Sequence, residues 1–267
     1  MSCQSPAKNI SRQTRKIIIN CDTQNHIITL YNYMKFAIIA AGEGSRLQQE
    51  GVELPKPLVK VCGEALIDRL IRIFRKNNAK EIVIIVNQLN PLTEQHILKL
   101  KEAGLASDIR MVVKTTPSSM HSFAELAPYL ENEEFCLTTV DTIFNEEEFA
   151  KYIAYFKTCN YDGCMAVTNY IDDEKPLYIG TDSDLNITGF YDDKRTCEYI
   201  SGGIYCLRPN ALSTLKHCLE QGISRMRNFQ RALVTDGLQL KACPFSKILD
   251  VDHASDIAKA ECFLTAQ

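Results

Sequence analysis

The stretch Met34-Lys35-Phe36-Ala37-Ile38-Ile39-Ala40-Ala41-Gly42-Glu43-Gly44-Ser45-Arg46-Leu47 decides the fold. Phe36–Ala41 is an unbroken apolar run that stops at a glycine. A strand buried on both faces reads this way, without the alternation of a half-exposed strand. A glycine-bearing turn after such a strand is where α/β sheets open a ligand crevice. Glycines there let backbone N–H groups approach phosphate oxygens with no Cβ in the way. Ala40, Ala41, Gly42, Gly44 and Ser45 are therefore candidates for a nucleotide cradle. A plain strand-to-helix turn would look the same on its glycines alone. The turn is not a dinucleotide fingerprint, because the third glycine position holds Leu47. It is not a Walker loop either, since no Gly-Lys-Ser/Thr follows.

Two cations sharpen the reading. Arg46 lies on the turn and Lys56 lies just beyond, in Pro55-Lys56-Pro57-Leu58. Arginine holds phosphate oxygens in a fork, and lysine acts as a mobile point charge. Splitting a triphosphate between its α and β phosphorus atoms builds charge on the leaving pyrophosphate, which such a pair would steady. Both are catalytic candidates.

Outward from this stretch, strands and helices alternate. The patterns predict strands at 35–40, 81–86, 109–114, 134–140 and 162–168, with one near 238–243. They predict helices at 64–77, 92–103, 120–130, 146–158, 209–220, 224–234 and 254–264. The turn-rich segment 170–207 reads as a hairpin-like insertion that makes the sheet mixed. The expected fold class is α/β, a Rossmann-like three-layer sandwich with a mostly parallel mixed sheet. Residues 34–267 form the expected catalytic domain. Residues 1–33 are polar, with short β-like pieces at Lys16–Ile19 and His26–Leu30. Two readings stand for them: an appendage preceding a natural start at Met34, or an arm packed on the domain.

Composition bounds the function. The 267 residues carry a formal net charge of -3, which leaves no nucleic-acid footprint over the whole molecule. Apolar runs are too short to span a bilayer. The 11 cysteines show no metal or Cys-x-x-Cys rhythm, and Cys159 and Cys164 have four residues between them. They read as reduced, small hydrophobes of a cytoplasmic protein. A homo-oligomer is compatible with all of this.

Two acidic positions complete the candidate chemistry. Asp141 ends the apolar strand Phe135–Val140, and Asp252 follows Ile248-Leu249-Asp250-Val251 ahead of the last helix. Strand-end or cap acids are common. Yet carboxyl ends of parallel strands line one crevice, and two convergent carboxylates there would hold Mg²⁺. Asp250 is placed behind Asp252.

Gly42-Glu43-Gly44-Ser45-Arg46, then Pro55-Lys56-Pro57-Leu58 and the following residues to Ile67, resembles the signature of the NDP-sugar pyrophosphorylase family of nucleotidyltransferases. Thr138-Thr139-Val140-Asp141-Thr142-Ile143-Phe144 is similar to that family's Gly-Asp-x-x-Phe strand end, with Val140 in place of glycine. Asp250-Val251-Asp252-His253-Ala254 is similar to its Asp-x-Asp-Thr-Pro ending. The resemblance implies transfer of a nucleotidyl group from an NTP to a sugar 1-phosphate, with release of pyrophosphate. It implies Asp141 and Asp252 as ligands of Mg²⁺. It implies Gly180, Asp193 and Lys194 as acceptor-binding residues, ahead of Ser201-Gly202-Gly203-Ile204-Tyr205. Base recognition is less marked: Gln88 and Ser119 are candidates, although Ser119 also suits a helix cap. Two alternatives stay open, a cytidylyltransferase acting on phosphocholine or another small phosphate ester, and a non-catalytic nucleotide-sugar sensor. The partners expected are an NTP and a small phosphorylated substrate, with no nucleic acid and no membrane.

Overall fold

A computed structural model of the chain describes residues 33–172 and 174–266. The β-like pieces expected at Lys16–Ile19 and His26–Leu30 lie outside the described residues. In chain order come β1 (Met34–Ala40), α1 (Ser45–Gln49), the short pair β2 (Lys60–Val61) and β3 (Glu64–Ala65), and α2 (Leu66–Lys76). Next are β4 (Ala79–Val86), α3 (Pro91–Glu102), β5 (Ile109–Val113), α4 (Ser119–Leu126), β6 (Phe135–Thr139), β7 (Thr142–Phe144) and α5 (Glu146–Thr158). The rest are β8 (Gly163–Thr168), β9 (Tyr178–Thr181), β10 (Ile187–Tyr191), β11 (Tyr199–Leu207), α6 (Ala211–Glu220), α7 (Met226–Thr235), β12 (Leu240–Phe245), β13 (Ile248–Asp250) and α8 (Ala254–Thr265).

Among the described residues, nine strands form one mixed sheet. Its centre is β1, flanked by β4 and β6, both parallel to it. β5 and β12 extend parallel pairing at β4 and β8, whereas β11 runs antiparallel to β6 and β8. The 170–207 segment supplies the antiparallel β9–β10 hairpin and β11, which makes the sheet mixed as expected.

The apolar run in β1 is continuous because both faces are covered. Phe36, Ile38 and Ala40 join one core with α2 and α5, and Phe36 stacks on Phe74 with ring centroids 4.5 Å apart. Ala37, Ile39 and Ala41 join the other, with Phe123, Leu215 and Phe229 from α4, α6 and α7. Helix α2 meets the sheet through Leu66, Ile67, Leu70, Ile71 and Phe74, the spacing of one helical face. Among the described residues, no helix is long and apolar enough to cross a membrane.

Boundaries differ from the sequence reading where turn chemistry intervenes. Helix α2 starts at Leu66, not 64, because Glu64 and Ala65 pair back onto Val61 and Lys60. Cys62 (φ 50) and Gly63 (φ 81) make that hairpin, whose twist needs two left-handed residues. Helix α4 ends at Leu126, not 130. Pro128 follows, lacking an N–H, and the chain tightens into a 3-10 turn over Ala127–Tyr129. In β11 the register shifts between Ser201 and Tyr205, with Gly203 at φ 72. At Gly202 a Cβ would lie 2.2 Å from Ile248 Cδ1. The strand bends there and can pair with β9 before the bulge and β6 after it.

Candidate active site

The glycine turn, the two cations and the two acids come together at the carboxyl end of β1. Ala40, Ala41, Gly42, Gly44, Ser45, Arg46, Lys56, Ser119, Asp141 and Asp252 line one cleft of about 480 Å³. A cavity of this size is in the range for small-molecule sites. Gly44 takes the left-handed conformation (φ 64, ψ 27), and a Cβ on it would stand 3.1 Å from Lys56 Cβ. Gly42 has no heavy atom within 4 Å of where a Cβ would be, so its backbone faces open cleft. Lys56 opens a 3-10 turn between Pro55 and Pro57; Leu58 N donates to Pro55 O at 2.8 Å. The prolines preset φ and fix the direction of the lysine.

Asp141 and Asp252 meet through a small ribbon outside the main sheet. β7 follows Asp141 directly, and β13 ends two residues before Asp252. The two strands pair antiparallel, with Thr142 opposite Asp250 and Phe144 opposite Ile248. Val251 N donates to Asp141 O at 3.1 Å, which closes the ribbon beside the cleft. Asp256 holds Asp252 and His253 from beyond: its Oδ2 accepts from their N–H groups at 3.2 and 2.8 Å, at the start of α8.

Lys56 Nζ donates to Asp141 Oδ2, and to Asp252 Oδ1 at 2.5 Å. Arg46 Nη1 reaches Asp252 Oδ2 at 3.2 Å. These contacts differ in weight. The Lys56 and Asp141 side chains are 11% and 15% exposed, whereas Arg46 and Asp252 are 54% and 44% exposed. A surface pair such as Arg46–Asp252 contributes about 0–1 kcal/mol, so the lysine bridge dominates. Burial disfavours the Lys56 ammonium, but Asp141 and Asp252 outweigh it and hold the lysine charged well above its usual range. Asp250 keeps open surface, yet crowding by protein and the negative charge of Asp141 push its carboxyl upward. Asp141 Oδ1 is buried and has no hydrogen-bond partner among the described residues.

Beside this cleft, two more share its walls. One, of about 290 Å³, has Ser119, Thr139, Lys175, Arg225, Arg227 and Asp250 in its lining; the other, of about 510 Å³, runs from Arg46 and Asp252 to Lys175 and Arg227. Gly180, Asp193 and Lys194 line none of the three. Gly180 instead leaves room for Tyr191, whose Cε2 would stand 2.9 Å from a Cβ there. Asp193 and Lys194 sit in an exposed turn, where Asp193 accepts from Arg195 Nε at 3.1 Å. Gln88 is exposed on the turn after β4 and also stays outside the cleft. The cap of α4 is Ser118, whose Oγ accepts from His121 N, so Ser119 is left to face the cleft.

Several residues escaped the sequence reading. Asn87 is 6% exposed and ties the cleft wall together. Its Nδ2 donates to Ala41 O at 3.0 Å, and its Oδ1 accepts from Leu89 N and Thr115 Oγ1. Its signal was a lone amide at a strand's carboxyl end. Asn87→Ala leaves those groups unpaired and is expected to cost about 1–3 kcal/mol of stability. A chemical-denaturation midpoint unchanged by Asn87→Ala would show that the network carries no weight. Arg225 stands at φ 75 just ahead of α7, which starts at Met226 and not at 224 as the periodicity predicts. Buried Gln230 accepts from Ser201 Oγ at 2.9 Å and lines the same cleft.

Residues 36–235 match the family model of the MobA-like NTP transferase domain. With the motifs and cleft above, the chain belongs to this family of nucleotidyltransferases, within the NDP-sugar pyrophosphorylase group. It is 25% identical over 248 residues to bifunctional protein GlmU of Clostridioides difficile (strain 630), covering 85% of this chain and 50% of that one. It is 27% identical over 188 residues to mannose-1-phosphate guanylyltransferase catalytic subunit beta of Dictyostelium discoideum, covering 68% and 52%. The chain thus spans about half the length of these curated relatives. Its fold is that of the T. maritima inositol-1-phosphate CTP transferase structure, with a TM-score of 0.70, 18% identity and coverage of 86% and 97%.

Proposed function

We propose that this nucleotidyltransferase joins an NTP to a sugar 1-phosphate in the presence of Mg²⁺, releasing pyrophosphate and forming an NDP-sugar. The observation that carries the reading is the lysine bridge: one ammonium between two carboxylates from distant parts of the chain, at the mouth of a glycine turn. The donor set fits a hard divalent cation, which takes carboxylate oxygens. Asp141 Oδ1 is buried with no hydrogen-bond partner among the described residues, and Asp252 turns the same way toward Lys56. Asp141 and Asp252 would hold Mg²⁺, which would supply charge neutralisation at the α-phosphate.

The protein's own groups do the rest. The Gly42–Gly44 backbone accommodates the triphosphate. Arg46 and Lys56 steady the charge that accumulates on departing pyrophosphate. The acceptor is already anionic, so no general base is needed, and catalysis is positioning plus charge neutralisation. The neighbouring cleft with Lys175, Arg225 and Arg227 suits an acceptor phosphate, with Ser201 and Gln230 for hydroxyls. Arg227 is itself anchored, donating to Lys175 O at 2.9 Å and pairing with Asp192 at 2.7 Å. Arg225 forms no ion pair among the described residues and is the cation assigned to the acceptor phosphate.

A quaternary ammonium acceptor is less well served. Such groups favour cages of several aromatic faces. Among the described residues, Tyr205 is the one aromatic residue lining the smaller cleft, and Tyr170 of the other already has Lys247 Nζ 4.1 Å over its ring. The relative named as a mannose-1-phosphate guanylyltransferase also supports a sugar phosphate.

A matrix of NTPs against sugar phosphates and phosphocholine, with and without Mg²⁺ and read by pyrophosphate release, tests the reading. Turnover confined to phosphocholine, or none with any acceptor, would overturn it. In the active pair, Arg225→Ala is expected to raise the acceptor KM by about 10- to 100-fold, with the NTP KM little changed. Equal effects on both constants would remove Arg225 from the acceptor site.

A further inference from the structure

The sulfurs of Cys159 and Cys164 lie 3.7 Å apart, at the end of the sheet away from the carboxylates. Cys164 sits at the start of β8. Register places it opposite Cys206, which lies opposite Cys136 near the amino end of β6; Asp141 follows the other end of that strand. Cys159 closes the last turn of α5 and is half-buried, whereas Cys164 is buried. Cys159 also forms part of the wall of a separate cavity of about 880 Å³, with Tyr155, Tyr161, Ile187 and Leu238. Of the pair, Cys159 therefore borders this cavity and Cys164 does not.

The local chemistry is asymmetric in the same sense. Arg208 fixes the connecting loop, donating Nη2 to Cys159 O at 2.8 Å and Nε to Tyr161 O at 2.7 Å. Hydrogen bonding from Cys164, then the Tyr161 N–H and the positive Arg208, outweigh burial and bring the Cys159 thiol down to about 6. The same contact, with Cys243 beside it, drives Cys164 upward. A thiolate at a cavity wall backed by a protonated thiol is the arrangement of an attacking and a resolving cysteine.

We infer that Cys159 and Cys164 form a reactive dithiol that undergoes thiol–disulfide exchange with a small-molecule disulfide entering this cavity. The Cys159 thiolate attacks one sulfur of R–S–S–R. A Cys159–S–S–R bond forms, the R–S–S–R bond breaks, and R–S⁻ leaves. The Cys164 thiol then displaces the second R–S⁻ from Cys159, forming the Cys159–Cys164 bond, and its proton goes to that leaving thiolate. The two protein thiols are oxidised and the small disulfide is reduced to two thiols. Bond formation needs a shift of under ~2 Å in sulfur position, within reach of side-chain rotation at the end of a helix. The inference is independent of the proposed transferase reaction.

The test uses the full chain, freed of reductant and exposed to oxidised glutathione, with intact mass and peptide mapping as readout. The expected product lacks two hydrogens and is cross-linked between Cys159 and Cys164. It should form roughly tenfold faster than glutathione adducts at exposed Cys62 and Cys262. Cys164→Ser, or Cys164→Ala if serine is not tolerated in the core, should stop at a stable glutathione adduct on Cys159. Cys159→Ser should form no cross-link, and Cys243→Ser should leave the cross-link intact. Adducts on Cys62 and Cys262 with Cys159 still a free thiol would overturn the inference. A cross-link running to Cys243 in place of Cys164 would overturn the pairing.

Discussion

Asp141→Asn is expected to lower turnover on the order of a thousandfold while the fold stays intact, as measured by pyrophosphate release and thermal melting. The substitution keeps the shape of the side chain and removes its charge. That charge acts from a poorly solvated position, with Asp141 only 15% exposed, so each unit of charge counts for more than it would in water. Asp252→Asn makes the internal comparison. Its carboxylate is 44% exposed, so solvent screens it, and a loss of roughly ten- to a hundredfold is expected. Melting should move little in either variant, since Lys56 keeps one carboxylate partner each time. Equal losses at both positions would contradict this ranking, and full activity in Asp141→Asn would remove it from the catalytic group.

Lys56→Ala should fail in a different way. Turnover is expected to fall by about a hundred- to a thousandfold, because on the proposed reaction the cation that steadies the departing pyrophosphate is gone. Unlike the aspartate variants, this one should also lose stability. Two carboxylates then face each other without the ammonium between them, and a cost of about 1–3 kcal/mol follows. The figure sits below that for a fully enclosed pair because Asp252 retains solvent. Added Mg²⁺ should restore the melting temperature of Lys56→Ala without restoring turnover. A melting temperature equal to the parent in metal-free buffer would show that the lysine is not what reconciles the two acids.

How much of this was legible in the chain depended on locality. The central strand, its glycine turn, Arg46 and Lys56 fall within a short span, so spacing alone predicted their juxtaposition. Asp141 and Asp252 were visible one at a time, each at the end of an apolar run. What brings them together, the β7–β13 ribbon, was not visible, because three-residue strands carry too little periodicity to register. The acceptor side was the least legible. Gly180, Asp193 and Lys194 were taken from a motif, yet they serve a hairpin and an exposed turn. Of the cations that line the neighbouring clefts, Lys175 comes from a loop, while Arg225 and Arg227 stand at the start of α7, where the helical pattern marks the apolar face and leaves the polar side undirected. Of the two serines able to cap α4, Ser118 takes the role, and the one-position choice is of the ordinary scale at a helix boundary.

The ribbon has a consequence for how the molecule comes into being. Its two strands stand about a hundred residues apart in sequence, so β13 and Asp252 are made well after β7 and Asp141. A nascent chain that has produced only the sheet through β11 already contains the glycine turn, Lys56 and Asp141, but nothing yet pairs with β7. The cleft is therefore completed only once β13 has been made, and shortened products ending before residue 248 would present Lys56 with a single acid.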